Sequence, residues 1–187
     1  EMTHLWGKQE TAPSADSLDK WWKTIEEWRS HNCLWFENDS EIIKPQYVVQ
    51  KLAEITKNSA IITSDVGQHQ MWAAQYYPYQ NERQIVTSGG LGTMGFGVPA
   101  AIGAKIANPD KEVVLFVGDG GFQMTNQELA ILNVYKIPIK VIMLNNHSLG
   151  MVRQWQEAFY DGRTSESVFD SLPDFQLMAQ AYGIKNY

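Results

Sequence analysis

The chain has 187 residues, 44% of them hydrophobic and 19% charged, a composition typical of one globular domain with an appendage. Fifteen basic against 21 acidic residues give a net charge of −6, and no Lys/Arg cluster supports binding to nucleic acid or a membrane surface. The apolar runs are shorter than the ~20 residues of a membrane span. The single cysteine, Cys33, excludes internal disulfides and fits a reducing compartment, so we expect a cytoplasmic protein.

Residues 1–40 differ from the rest and are predicted to be a linker and the tail of a preceding central domain. A turn-rich segment, TAPSADS, leads into DSLDKWWKTIEEWRSH, a pattern typical of an amphipathic helix capped by Asp16 or Ser17. We expect its apolar stripe to pack against a neighbouring domain or the main core. The stripe consists of Trp21, Trp22, Ile25 and Trp28.

From Ile43 onward, helical and strand patterns alternate. In chain order they predict a helix (KPQYVVQKLAEI), a strand (SAIITSD), a helix (HQMWAAQYY), a strand (RQIVTS), a helix (VPAAIGAKIA), a strand (KEVVLFVG), a helix (TNQELAILNVYK), a strand (IPIKVIMLNN) and a helix (MVRQWQEAFY). Pro45 suits the first turn of its helix, and Thr125 with Glu128 resembles a helix cap. Strands without polar alternation between helices predict an α/β fold, a doubly wound parallel sheet with helices on both faces.

The two ends of the chain indicate a fragment of a longer polypeptide. It begins EMTHLW, without a starting methionine or a signal peptide. It stops at GIKNY, where a helix pattern is followed by what resembles the opening of another strand. We therefore expect 41–187 to be a domain truncated at its C-terminal end.

Four loops lie at the carboxyl ends of the predicted strands, where ligands bind in such sheets: SDVGQHQ, SGGLGTMGFG, VGDGGFQMT and LNNHSLGM. The second contains GLGTMG, which matches the dinucleotide fingerprint and favours an NAD- or flavin-dependent oxidoreductase as one alternative. Asp119 then lies roughly where a ribose-binding acid is expected. A non-catalytic interaction module built on the tryptophan-rich helix is a second alternative.

The residues after two successive strands favour a metal-bridged diphosphate instead. Asp119 follows one strand and Asn145–Asn146 the next, and a strand–helix–strand crossover brings both ends to one edge of the sheet. Carboxylate and amide oxygens suit Mg²⁺ or Ca²⁺, and Mg²⁺ often completes its coordination with phosphate oxygens. Glycines beside Asp119 allow close approach of a phosphate, toward which the helix predicted near Thr125 directs its first N–H groups. A ribose partner explains neither these glycines nor the asparagines.

These motifs resemble a known family. GDG, then 24 residues, then NN is similar to the thiamin diphosphate (ThDP) signature of pyruvate-decarboxylase-like enzymes. Together with VGQHQMWAAQ, TSGGLGTMGFG and LNNHSLGMVRQWQ, the stretch from about Glu41 to the end resembles the catalytic large subunit of biosynthetic acetohydroxyacid synthase (acetolactate synthase). Another ThDP-dependent enzyme of 2-keto acids, such as a pyruvate oxidase or carboligase, is the alternative within the family.

The resemblance implies roles for individual residues. Mg²⁺ would be held by Asp119, Asn146 and the backbone carbonyl of Ser148. Met94 would support the bent cofactor from below, and Trp155 would shape the site of the acceptor keto acid. The implied catalytic residues are Met94, Met151, Val152 and Trp155. The implied cofactor-binding residues are Val66, Gly67, Gln68, His69, Gly92, Met94, Gly118, Asp119, Gly120, Gly121, Asn146, Ser148, Leu149, Gly150 and Met151.

The resemblance also implies an activity and partners. The reaction would be decarboxylation of pyruvate and ligation to a second pyruvate or to 2-ketobutyrate, in branched-chain amino-acid biosynthesis. The full-length enzyme would carry FAD and form a homodimer or higher homo-oligomer with shared active sites; a regulatory small subunit is a further candidate partner. In the family, a glutamate that activates the pyrimidine ring comes from a separate N-terminal domain of the partner subunit. We therefore expect the isolated fragment to be inactive.

Overall fold

The computed structural model describes residues 13–39 and 41–187, and the chain divides into two compact units, Glu1–Glu37 and Asn38–Tyr187. In the first unit, helix α1 (Ala15–Ser30) begins after Ser14, whose Oγ accepts a hydrogen bond from the N–H of Ser17 at 3.2 Å. The predicted cap, Asp16 or Ser17, is therefore wrong by two to three residues, because both lie within the first helical turn. A serine with extended backbone satisfies the free N–H group there.

The tryptophans of α1 remain accessible. Trp21, Trp22 and Trp28 are each more than half exposed, and no residue of α1 is buried. The rings of Trp21 and Trp28 meet edge to face, with their centroids 5.7 Å apart. The first unit thus carries a helix in which two tryptophans of the apolar stripe contact each other. The packing of the stripe against another domain stays a prediction.

The second unit contains every helix and strand that the sequence predicts between Pro45 and Phe159. The elements are α2 (Pro45–Thr56), β1 (Ile61–Ser64), α3 (Gln68–Tyr76), β2 (Ile85–Thr87), α4 (Gly97–Ala107), β3 (Val113–Gly118), α5 (Asp119–Thr125), a 3₁₀ turn (Asn126–Glu128), α6 (Leu129–Val134), β4 (Lys140–Leu144), α7 (Gly150–Phe159) and α8 (Phe175–Ala181). The four strands form one parallel sheet in the order β2-β1-β3-β4. All four carboxyl ends therefore lie at the same edge.

The sheet is buried on both faces, which confirms the predicted doubly wound α/β class. Alternate residues of one strand point to opposite sides, so Leu115 packs with α4, α5 and α6 while Phe116 packs with α2 and α3. The six residues of β3 are all buried, and this strand lies between β1 and β4. Its continuous apolar sequence follows from burial on both faces.

The predicted start of the helix near Thr125 is wrong. Helix α5 begins directly after β3 at Asp119, and Thr125 is its last residue. The hydroxyl of Thr125 makes no helix cap; it donates a hydrogen bond to the carbonyl of Gly95 at 2.9 Å. The pattern of a threonine followed three residues later by Glu128 resembled a cap, whereas the hydroxyl joins the end of α5 to the loop after β2.

Two further expectations need correction. Strand β4 is not fully buried: Lys140 and Val141 are exposed, since β4 pairs only with β3 among the described strands. The residues after α8 form no strand in the part of the chain that the structure describes. There Ile184 packs against the core cluster next to β3, which accounts for its apolar character. Among the residues described, no helix is long and apolar enough to cross a membrane.

Candidate functional site

A cavity of about 190 Å³ opens at the carboxyl edge of the sheet, and the loops after all four strands line it. It is lined by Val66, Gly67, Gln68, His69, Trp72, Gly92, Met94, Gly118, Asp119, Gly120, Gly121, Leu144, Asn146, Ser148, Leu149, Gly150, Met151 and Val152. The structure therefore brings together every predicted cofactor-binding residue. Of the other residues predicted for the site, only Trp155 lies outside this lining.

The chemical character of the lining is unusual. No Lys or Arg is among the lining residues, and Asp119 is their only carboxylate. Within 13–39 and 41–187, no three His, Cys, Asp or Glu side chains are grouped for metal binding. The oxygen and nitrogen atoms available to a ligand in the cavity therefore come mainly from amide side chains and backbone groups. One aspartate and one histidine add to them.

Asp119 is the most distinctive group in the cavity. Its side chain is 1% exposed, at the junction of β3 and α5. Oδ1 accepts a hydrogen bond from the N–H of Gly120 at 2.8 Å, whereas Oδ2 has no hydrogen-bond partner among the described residues. An unpartnered buried carboxylate oxygen is costly. The free Oδ2 of Asp119 therefore fits a site in which this oxygen binds a cation.

His69 is the second buried group with a free polar atom. It lies in the first turn of α3, 6% exposed, and its Nε2 has no partner within the described part of the chain. Burial lowers the pKa of His69 from 6.5 to about 4, although the charge and the backbone of Asp65 act in the opposite direction. The imidazole is therefore neutral at pH 7. It makes no cap for α3, whose cap is Gly67.

Glycines allow the backbone to lie close beneath these side chains. A Cβ added at Gly118 would lie 3.1 Å from the ring of His69, and one at Gly120 would lie 2.8 Å from Leu149. A Cβ at Gly150 would collide with the side-chain amides of Gln68 and Asn146. Only glycine fits at such contacts without displacing the neighbouring side chain.

The loop after β4 carries the two other predicted metal ligands. Asn146 is exposed; its Oδ1 accepts from the N–H of Ser148 at 3.2 Å, and its Nδ2 donates to Oε1 of Gln68 at 3.2 Å. Gly118 pairs with Leu144, so Asp119 and Asn146 follow neighbouring strand ends as the crossover predicted. The side-chain bond to Gln68 joins this loop to the loop after β1.

A distant segment holds the same loop in place. His147 has a φ of +55°, a left-handed conformation that few non-glycine residues adopt. Ser148, which is buried, forms an antiparallel bridge with Val168, and the N–H of Leu149 donates to the carbonyl of Ser167 at 2.8 Å. The backbone around the predicted carbonyl ligand is therefore fixed by residues that follow α7.

Helix α7 presents the residues predicted to contact substrate. Met151 and Val152 line the cavity, and neither belongs to the two core clusters. Trp155 is 59% exposed, and its ring lies 5.1 Å from that of Phe159, centroid to centroid. Trp155 therefore lies on α7 outside the cavity lining, and its side chain is largely exposed.

Three residues near the cavity were not predicted. Trp72 and Leu144 line it as apolar side chains, and each belonged to an apolar pattern with no sign of a ligand role. Asp65 lies behind the lining, fully buried at the end of β1. Its position directly after a buried strand, two residues from Gly67, was the available signal.

Comparison with known proteins assigns the chain to a family. The family described as thiamine pyrophosphate enzyme, C-terminal TPP binding domain, matches residues 65–187. The chain therefore belongs to the thiamine pyrophosphate enzymes.

Among curated proteins, it is 62% identical over 169 residues to the acetolactate synthase large subunit of Lactococcus lactis subsp. lactis, covering 90% of this chain and 29% of that protein. It is 50% identical to acetolactate synthase isozyme 3 large subunit of Escherichia coli over 98% of this chain and 32% of that protein. Acetolactate synthase 1, chloroplastic, of Oryza sativa subsp. japonica is 42% identical over 95% of the chain and 29% of that protein. The chain thus spans less than a third of the length of these relatives.

Proposed function

We propose that this chain forms the part of an acetolactate synthase that binds the diphosphate of thiamin diphosphate through Mg²⁺. The observation that carries the proposal is Oδ2 of Asp119, a buried carboxylate oxygen without a partner among the described residues, in a cavity that lacks Lys and Arg. A diphosphate alone would face that carboxylate without a compensating charge. A divalent cation would offset this repulsion and give Oδ2 of Asp119 a partner.

The residues present fit Mg²⁺ in their donor chemistry. The proposed ligands are a carboxylate from Asp119, the amide oxygen of Asn146 and the backbone carbonyl of Ser148. All three are hard oxygen donors, which Mg²⁺ prefers, and phosphate oxygens and water would complete its coordination. Further diphosphate contacts are proposed for the N–H groups of Gly120 and Gly121, which lie in the first turn of α5, where N–H groups lack helical partners. The N–H of Gly120 already donates to Oδ1 of Asp119, so it would be shared between that carboxylate and the diphosphate.

The remaining lining residues divide between the cofactor and the substrate. The loop with Gly92 and Met94 would hold the aminopyrimidine ring, while Gln68 and His69 would contact the diphosphate from the first turn of α3. Met151 and Val152 would border the reacting keto acid and exclude water from it. Trp155, farther out on α7, would select the acceptor.

The proposed reaction joins the two-carbon unit of pyruvate to a second pyruvate or to 2-ketobutyrate, with release of CO₂. Thiamin diphosphate, when bound, would supply a cationic thiazolium ring that accepts the electron pair left on the substrate by the loss of CO₂. The protein's own residues orient the reactants and exclude water. We further propose the full enzyme to be a homo-oligomer with shared active sites, containing FAD and located in the cytoplasm, with a regulatory small subunit as a candidate partner.

We expect the 187 residues alone to have no synthase activity. No glutamate lines the cavity, whereas the family resemblance implies a glutamate from another domain that activates the pyrimidine ring. Acetolactate formed by the isolated chain would contradict this expectation.

Acetolactate formation from pyruvate tests the proposal. The assay uses the longest natural polypeptide that carries this sequence, with ThDP and Mg²⁺ supplied or removed by chelation. Asp119→Ala should abolish activity, whereas Asp110→Ala, an equal loss of charge at the opposite edge of the sheet, should retain it. No acetolactate from the unaltered polypeptide, or full activity of Asp119→Ala, would overturn the proposed function.

A further inference from the structure

Asp65 is a buried carboxylate to which the site described above gives no role. It follows β1, is 0% exposed and does not line the cavity. No ion pair of the described residues includes it. The oxygens of a buried carboxylate that has no cation beside it must be satisfied by hydrogen bonds.

Backbone N–H groups supply these bonds; one comes from the loop after β2 and one from the first residue of α4. Oδ1 accepts from the N–H of Val66 at 2.8 Å and from that of Gly95 at 3.1 Å. Oδ2 accepts from the N–H of Gly97 at 2.7 Å. One carboxylate thus joins the end of β1 to both residues that flank Phe96, next to Met94.

Glycines shape the space around the carboxylate. A Cβ at Gly97 would lie 2.9 Å from Cβ of Asp65, and one at Gly121 would lie 2.5 Å from its Oδ1. Gly121 lies in α5, among the N–H groups proposed for the diphosphate. Asp65 therefore touches both the loop that carries Met94 and the segment that follows Asp119.

We propose that Asp65 is a positioning residue. It would fix the position of the loop that carries Met94 relative to the first turn of α5, which is proposed to bind the diphosphate. The inference rests on the proposed function, in which this loop holds the pyrimidine ring while α5 and the metal hold the diphosphate. Asp65 touches neither ligand. It acts through the N–H groups of Gly95 and Gly97, so its loss should affect the recognition of the ring and not that of the diphosphate.

The substitution Asp65→Asn removes this arrangement with little change in shape. A carboxylate presents two accepting oxygens, whereas an amide presents one oxygen and one NH₂ group. Either the N–H of Gly97, or those of Val66 and Gly95, must then face a donor. The loop should move away from the strand end.

The test compares two ligands of the longest natural polypeptide that carries the sequence. The dissociation constants of ThDP and of inorganic pyrophosphate are measured by calorimetry, each at saturating Mg²⁺. In Asp65→Asn, we expect ThDP to bind about tenfold more weakly or worse, the effect of losing one charge-assisted hydrogen bond. Pyrophosphate, which lacks the ring, should bind within about twofold of the original polypeptide.

A matched control separates positioning from general destabilisation. Gln84 is also buried and also bonds to several backbone groups, but at the amino end of the sheet. Gln84→Ala should leave the ratio of the two dissociation constants unchanged. Should Asp65→Asn fail to fold, Gly97→Ala keeps the carboxylate and displaces the bonded N–H instead, with the same selective loss of ThDP binding expected.

The outcomes distinguish this inference from the proposed function. If Asp65→Asn and Gly97→Ala weaken the binding of ThDP and of pyrophosphate equally, or weaken neither, the role of Asp65 is overturned. The proposed metal site would still be supported by Mg²⁺-dependent binding to the unaltered polypeptide. If the unaltered polypeptide binds neither ligand in the presence of Mg²⁺, the proposed function fails and the inference fails with it.

Discussion

The two ends of the parallel sheet differ in how completely their buried polar side chains are hydrogen-bonded. At the amino end, Gln84 accepts two backbone N–H bonds and donates two to carbonyls, and the ammonium of Lys105 donates to the carbonyls of Pro109 and Lys111. At the carboxyl end, Asp119 and His69 each keep a buried polar atom without a partner in the described chain.

This difference indicates that buried polar groups at the amino end stabilise the fold, whereas the unbonded ones at the carboxyl end serve ligand binding. Fully bonded polar groups at the amino end connect loops and stabilise the sheet, because each hydrogen bond replaces one to water and fixes a turn. Unbonded groups at the carboxyl end cost stability, and they persist where a ligand completes them. Of the three such buried atoms in residues 13–39 and 41–187, two line the cavity and the third is Oε1 of Gln46 in α2.

The largest expected loss of stability lies at the amino end. Gln84→Ala removes four hydrogen bonds and leaves backbone groups near Asn58 and Ala60 without partners, so the free energy of unfolding should fall by about 3 kcal/mol. Urea unfolding measures the change. The increase in melting temperature with ThDP and Mg²⁺ should remain in this variant. Its disappearance would show that ligand binding at the carboxyl end depends on the bonds at the amino end.

At the carboxyl end, His69 should make stability depend on pH. Its pKa is about 4 when folded and 6.5 when unfolded, so the unfolded chain binds more protons between these values and stability falls with decreasing pH. The loss attributable to His69 should reach about 2 kcal/mol between pH 7 and pH 5. Compared with the original chain, His69→Gln should show that much less dependence in urea unfolding. An identical pH dependence in both proteins would contradict the burial of a neutral imidazole.

A smaller effect is expected where a carboxyl-end group is already bonded. Thr125→Val removes the hydroxyl that donates to the carbonyl of Gly95 and keeps the side-chain shape, which should cost about 1 kcal/mol. Because the loop of Met94 keeps its bonds to Asp65, ThDP affinity should change less than in Asp65→Asn. Chemical unfolding and calorimetry measure the two quantities. A loss of ThDP affinity larger than that in Asp65→Asn would show that Thr125, and not Asp65, positions the loop of Met94.

A change in stability no larger than that of Thr125→Val is expected at Asp119, and it should have the opposite sign. Asp119→Asn keeps an oxygen for the N–H of Gly120 and replaces a carboxylate whose second oxygen is buried without a partner, so the chain should gain about 1 kcal/mol without ligand. Stabilisation by ThDP and Mg²⁺ together should be lost in the same variant. A large destabilisation of the chain without ligand would show that the carboxylate has a structural partner.

The sequence predicts the sheet well because its signals are local. Four apolar strands between helices with the right periodicity were enough for the parallel architecture, and the polar loops after them located the cavity. The start of α5 was missed because Gly120 and Gly121 have low helix propensity and conceal the first turn. Thr125 and Glu128 then offered a plausible start six residues later.

Other features depend on contacts between distant residues. An apolar sequence does not tell whether a strand such as β4 has one neighbour or two, and so its partial exposure was missed. Asp65 and Gln84 bond almost entirely to backbone groups, whose partners are decided by the tertiary fold. Neither residue type nor spacing indicates such partners in advance.

The most direct test of a metal-bridged diphosphate site is a melting scan under four conditions. The longest natural polypeptide that carries this sequence is heated with Mg²⁺ alone, ThDP alone, both together, and NAD without metal. A ligand that binds only the folded state stabilises it by about 2.7 kcal/mol at a hundredfold excess over its Kd. We predict a rise in melting temperature only with ThDP and Mg²⁺ together. A rise with NAD, or none with ThDP and Mg²⁺, would contradict the account.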